Sequence, residues 1–209
     1  MSHEGTFSCG CGRSSHECKS IVFTGGPGAG KTAILDVAKR TFCHHVAVLP
    51  EAASIVYSGG FIRKPTPTAV KAVQRSIFRV AQQLEWLVAE EAHHALALCD
   101  RGTLDGLAYW PDSEDHFWRD VESTREKEFK RYSVVIHLRT PLEHSGYNAD
   151  NPIRIETPQE ALALDRRIEQ IWEGHPRRFI ISSTADFMEK TRQALDIVRN
   201  EIPKCCRLP

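Results

Sequence analysis

The chain lacks an excess of either charge, any long apolar run and any pair of C-x-x-C knuckles. Its 27 Lys and Arg balance 27 Asp and Glu, so there is no broad electrostatic footprint for nucleic acid or an anionic membrane. No window approaches the roughly 18 successive apolar residues that a membrane span needs. The opening Met1-Ser-His-Glu-Gly-Thr-Phe-Ser-Cys has neither the basic nor the apolar block of a secretory leader. Internal repeats and low-complexity runs are missing as well. The seven cysteines are an odd number. Without an export signal they read as reduced thiols or metal ligands in a cytoplasmic protein.

What is present is an ordinary globular composition, 41% hydrophobic and 26% charged over 209 residues. A chain of this length buries about 70% of its unfolded surface, enough for a core without staples. Five short apolar runs have strand character: Ser20–Thr24, Val46–Leu49, Ala95–Cys99, Ser133–Leu138 and Arg178–Ser182. Most lack polar alternation, as expected of strands covered on both faces. Helical patterns lie between them. In 68–94 an apolar stripe recurs at spacings of three and four. A helix after Thr157 is announced by that cap, by Pro158 and by Glu160, and it stops at Gly174. The last helix runs from about Phe187 to Ile202. Such alternation predicts one three-layer α/β domain around a five-stranded parallel sheet. A cysteine-rich segment, 1–19, precedes it, and the domain spans 20–209.

The strongest signal is Gly25-Gly-Pro-Gly-Ala-Gly-Lys-Thr32, between a strand and a helix. It fits the phosphate-loop pattern G-x-x-x-x-G-K-[ST]. Glycines let successive backbone N–H groups wrap a phosphate, and the helix points its positive end at the same anion. The expected nucleotide contacts are Gly26, Pro27, Gly28, Ala29, Gly30, Lys31, Thr32 and Ala33. Lys31 would reach the β- and γ-phosphates, and the Thr32 hydroxyl would hold Mg²⁺. Two acids stand at carboxyl ends of strands, where ligands of open parallel sheets bind: Glu51 after the second strand and Asp100 after the third. The Asp-x-x-Gly and Asn-Lys-x-Asp elements of a switch GTPase are missing, which tilts the nucleotide toward ATP over GTP. The paired acids ending the third strand of an oligomeric AAA+ motor are missing as well.

Three segments carry a resemblance: Leu49-Pro-Glu-Ala-Ala, the run from Cys99-Asp-Arg-Gly-Thr-Leu-Asp-Gly to Trp110, and Asn151-Pro-Ile-Arg-Ile-Glu-Thr157. Over about residues 20–200 the chain resembles the P-loop ATPase/kinase family of the ribosylnicotinamide-kinase-like AAA domain, within the nucleoside and nucleotide kinase-like group. The resemblance implies a P-loop fold with strand order 2-3-1-4-5 and an ATP- and Mg²⁺-dependent phosphotransferase. Asp100 would organise the metal with Thr32, and Glu51 would orient or deprotonate an acceptor hydroxyl. Arg101 would contact acceptor or phosphate. A lid over about 140–165 would bring Arg154 to the phosphates, with Arg166 and Arg167 in reserve. The acceptor pocket is expected between Glu51, the 57–64 loop and a long helix carrying Gln74, Arg75 and Arg79. Trp86, Trp110 and Trp118 are candidates for stacking on a ring. The alternative is a regulatory nucleotide-binding module with slow hydrolysis. Expected partners are a nucleotide and a small acceptor, and a homodimer is left open.

A second constellation joins the chain ends: Cys9, Cys11, His16, Cys18, Cys205 and Cys206. The first strand starts, and the last helix finishes, at the sheet edge opposite the phosphate loop. Both clusters should therefore meet there, as a structural zinc clasp drawn from these residues, a redox-sensitive disulfide or unligated reduced ends.

Overall fold

The computed structural model describes residues 11–12, 15–141, 157–183 and 186–206. Five strands, β1 (Lys19–Thr24), β2 (Val46–Leu49), β3 (Leu96–Asp100), β4 (Tyr132–Leu138) and β5 (Arg178–Ile181), form one parallel sheet in the order β2-β3-β1-β4-β5. Helices cover it on both sides, as the sequence pattern predicts. Successive side chains of a strand point to opposite faces, and two apolar clusters result. Ile21, Phe23, Leu96, Leu98, Val134 and Ile136 join one cluster with residues of α1 (Lys31–Thr41) and α7 (Phe187–Glu201). Val22, Ala97, Cys99 and Val135 join the other, with Phe78 of α3 (Pro67–Glu91) and Ile168 of α6 (Pro158–Ile171).

Sequence reasoning missed the shorter elements. They are α2 (Ala52–Ser58), α4 (Glu114–Val121), α5 (Arg125–Arg131) and a 3₁₀ turn over Thr103–Tyr109. None is long enough to display a full helical stripe, so their periodicity is weak. Long helices obey their caps. Thr66 accepts from Ala69 N at 3.3 Å with Pro67 in the first turn of α3. Thr157 and Glu160 form a reciprocal capping box on α6, and Gly174 follows with φ 87°. Among the described residues, no helix is long and apolar enough to cross a membrane.

Candidate nucleotide site

The site grows out of the end of β1. Gly25 leaves the strand with φ 126°, and a Cβ there would run into the Leu138 carbonyl, so glycine alone fits. Gly30, at φ 89°, opens α1 without any side-chain cap, and the first turn of α1 carries no acidic group. An uncapped helix start with its N–H groups and positive dipole end is a ready anion site. Lys31 stands there, 6% exposed, its Nζ donating to the carbonyls of Gly25 at 3.0 Å and Gly26 at 2.9 Å. Burial, with Arg101 adding, lowers its pKa to about 8 against the pull of Asp100, Glu51 and Asp105. A buried ammonium solvated by carbonyls is a cation prepared for an anion.

The loop is held from behind by residues the motif does not contain. Gly26 N donates to Asp165 Oδ1 at 2.7 Å, and His137 Nε2 lies 3.2 Å from the same oxygen. Lys190 of α7 donates to the carbonyls of Ala29 at 2.8 Å and Arg139 at 2.7 Å. Thr140 Oγ1 donates to the Pro27 carbonyl at 3.1 Å. In this structure the N–H of Gly26 is bound to Asp165 and that of Ala29 to the Gly26 carbonyl at 3.4 Å, while Pro27 has none to offer.

Thr32 Oγ1 donates to Asp100 Oδ2 at 2.7 Å. The other carboxylate oxygen, Asp100 Oδ1, is buried and has no protein partner among the described residues. Burial raises the Asp100 pKa, and Glu51 adds to the rise, while Lys31 and the Thr32 hydroxyl oppose it. A carboxylate oxygen left without a donor, beside a hydroxyl and a phosphate loop, fits a hard divalent cation such as Mg²⁺.

Glu51 follows β2 and starts α2. Its Oε1 accepts from Arg101 Nε at 2.7 Å and its Oε2 from Ser54 Oγ at 2.6 Å. Burial pushes this carboxyl up, but Arg101, Ser54 and Lys31 outweigh it and hold Glu51 below the ordinary glutamate value. Arg101 adopts a left-handed backbone, φ 74°, a strained state for a side-chain-bearing residue. Its Nη1 also donates to Gly25 O at 3.2 Å and Asp105 Oδ2 at 3.3 Å. Arg101 was expected on acceptor or phosphate. Its hydrogen bonds among the described residues go to Glu51, the Gly25 carbonyl and Asp105. Asp105, unnoticed in the sequence although it lies within the motif beginning at Cys99, is 2% exposed. It accepts from Thr24 Oγ1 at 2.7 and 2.8 Å and from Trp172 Nε1 at 2.7 Å.

From the loop a cavity of about 610 Å³ runs past Glu51 and along α3. Gln74, Ile77, Phe78 and Ala81 line it from one helical face, opposite Tyr57 and Tyr109. Arg63 and Lys64 stand at its wall, with the Arg63 guanidinium 4.5 Å above the Tyr57 ring. Helix rotation removes two expected residues. Arg75 turns to Asp120 at 3.2 Å and Arg79 to the Val121 carbonyl at 3.0 Å and Glu122 at 3.3 Å, all away from the cavity. The tryptophans do not line it. Trp110 is a core residue, Trp118 bonds Glu114 at 2.8 Å, and Trp86 is 56% exposed. Arg166 and Arg167 lie exposed on α6. Arg154 and most of the 140–165 lid fall outside the described residues, as does Cys9.

A parallel sheet of this order, with a glycine loop between β1 and α1 and acids ending β2 and β3, defines a P-loop nucleotide-binding α/β protein. The model of the AAA domain family matches residues 20–190, and the chain belongs to that family. Among solved structures, the thymidylate kinase from Ehrlichia chaffeensis aligns with a TM-score of 0.55. The alignment covers 87% of this chain and 98% of that one at 11% identity, a likeness of fold. No curated protein matches the sequence.

Proposed function

We propose that the protein is an ATP- and Mg²⁺-dependent phosphotransferase acting on a small, nucleoside-like hydroxyl acceptor. The observation that carries this reading is the cavity continuing from Lys31 and Thr32 past Glu51 to the face of α3. A hydrolase needs room for water alone, whereas a kinase needs an acceptor chamber that opens on the transferred phosphate. Tyr57, Phe78 and Tyr109 offer that chamber aromatic surface for a flat ring.

In the proposed reaction the phosphates displace the Gly25 and Gly26 carbonyls from Lys31 and lie on the backbone from Gly28 to Ala33. Mg²⁺, bound by Thr32 and by Asp100 directly or through water, would supply positive charge at the β- and γ-phosphate oxygens. Glu51 accepts a hydrogen bond from the acceptor hydroxyl and orients it in line. Held in its charged form by Arg101 and Ser54, it takes the proton as the new O–P bond forms and the bond to the diphosphate breaks. Arg154 is proposed to add positive charge over the transferred group.

The test is release of nucleoside diphosphate from ATP and from GTP with Mg²⁺. The acceptor panel is nucleosides, nicotinamide riboside among them, and nucleoside monophosphates, including thymidine monophosphate, with Lys31→Ala as blank. Acceleration of many fold by one acceptor is the expected result. Replacing Glu51 with Gln should then abolish acceptor phosphorylation while nucleotide affinity stays within about twofold. Slow, flat release across the panel beside tight nucleotide binding would overturn the transferase reading and favour a regulatory nucleotide-binding module.

A further inference from the structure

We propose that Cys11, His16, His45 and Cys206 bind one structural zinc ion at the end of the sheet opposite the nucleotide site. The proposal is independent of which reaction, if any, the phosphate loop serves. One donor atom from each of the four residues falls in a cluster in which all lie within 4.8 Å of one another. Cys206 Sγ is 3.3 Å from His45 Nδ1 and 3.9 Å from His16 Nε2, and Cys11 Sγ is 3.7 Å from His16 Nε2. In a tetrahedron with Zn–S near 2.3 Å and Zn–N near 2.05 Å, neighbouring ligands are separated by roughly 3.3–3.8 Å. These three distances are thus already close to the edges of such a tetrahedron. Two thiolates and two imidazoles also form a donor set of the softness zinc takes, unlike the oxygen ligands of Mg²⁺ or Ca²⁺.

The four residues come from three places far apart in the chain, so local sequence does not force them together. Backbone bonds hold two of them to the stretch from the end of α3 to the start of β3. His16 N donates to Ala92 O at 2.7 Å, and the His45 carbonyl accepts from Ala95 N at 2.7 Å and Leu96 N at 3.2 Å. Cys206 lies in a 3₁₀ turn, Lys204–Cys206, just past α7, where it is 3% exposed. Cys206 belongs to the apolar cluster shared by α1 and α7, and the partly buried Cys11 packs against it. Four protein ligands leave no open position for a substrate, so the ion would act as a clasp that fastens both chain ends to the sheet.

The clasp differs from the one sequence reasoning offers. Cys18 packs into the cluster on the other face of the sheet, and burial raises its thiol to about 11. Cys205 Sγ is 3.8 Å from Cys206 Sγ but stands outside the set. His45, the last residue of the turn before β2, takes their place. Each cysteine loses its proton on binding, so zinc uptake releases up to two protons to solvent.

The test uses the full chain, purified without a histidine tag under reducing conditions and dialysed against EDTA. Metal analysis should find one zinc per chain, retained in Cys18→Ser and Cys205→Ser and lost in Cys206→Ser. Because Cys206→Ser could fail to fold, wild-type protein is also grown in zinc-depleted medium and titrated with Zn²⁺ and with Co²⁺. Zinc should raise the melting midpoint by roughly 10 °C and protect two thiols from alkylation. Cobalt should give the intense visible bands of a tetrahedral thiolate site. Substoichiometric zinc, no protection of thiols, or a Cys11–Cys206 disulfide in a parallel preparation isolated without reductant would each overturn the proposal.

Discussion

Asp105 is the buried acid that ties Arg101 to Thr24 and Trp172, and Asp105→Asn isolates its charge from its shape. The carboxylate is 2% exposed and receives Thr24, Trp172 and Arg101. An asparagine keeps the volume but replaces one acceptor oxygen with an NH₂ group. With the NH₂ on the Oδ2 side, it faces the Arg101 guanidinium. Turned the other way, it faces the Trp172 indole N–H. Thr24 can rotate its hydroxyl to accept, but the indole and guanidinium are donors in every orientation. One buried donor therefore loses its partner whichever way the amide sits. A hydrogen bond to a charged group contributes about 1.5–3 kcal/mol, and a stranded buried donor costs about 1–3 kcal/mol. We expect a loss near 3 kcal/mol, a large share of the ~5–15 kcal/mol typical of a folded protein. For a chain of this size that is a fall in melting midpoint of roughly 6–12 °C. Equilibrium urea unfolding should give a lower midpoint at unchanged slope, and a cycle with Trp172→Phe should show coupling of about 1 kcal/mol or more. A loss below about 0.5 kcal/mol would refute the reasoning, because it would mean that the buried carboxylate does no more than a neutral amide.

The pH dependence of nucleotide binding follows from Lys31, whose pKa burial lowers to about 8. Phosphate needs the charged amine, so ATP affinity measured by calorimetry should fall about tenfold from pH 7 to pH 9; constant affinity would remove Lys31 as the phosphate contact. Stability of the nucleotide-free protein moves the opposite way. The folded value lies below the unfolded 10.5, so the unfolded chain holds more protons between about 8 and 10.5, and this group makes stability rise with pH across that window. Gly102→Ala tests packing behind the site. A Cβ there would stand 2.6 Å from Trp172 Cζ2 and 2.9 Å from Val22 Cγ2, so overpacking should cost about 1–3 kcal/mol in urea unfolding, and a neutral result would mean that Trp172 can shift freely.

Much of the scaffold is legible because local rules coincide with the fold. The strand starting β1, the glycine loop and the helix behind it are contiguous, and so are the Thr157 cap, the Pro158 turn and the Glu160 partner. Glu51 and Asp100 could be picked out because a parallel sheet gathers the carboxyl ends of its strands on one edge. Asp105 and Lys190 could not. An aspartate two residues after a threonine, or a lysine in a helix rich in charge, looks like solvated surface until the chain folds it under a loop. The orientation of α3 was equally hidden, since the apolar stripe defines a buried face but not how Gln74, Arg75 and Arg79 divide between the cavity and α4.

By itself the sequence determined the alternation of strands and helices, the phosphate loop and the kind of anion it suits, because each of these follows from short-range pattern. Tertiary structure decided everything that depends on side chains meeting across long separations. It placed Arg101 on Glu51, drew Asp165 and Lys190 onto the loop backbone, and gathered His45 rather than Cys18 beside Cys11, His16 and Cys206. The physical reason is directional. Alternation sends Cys18 to one face of the sheet, while the cluster forms at the other, and which distant donors point into a common space is settled only when both layers are packed.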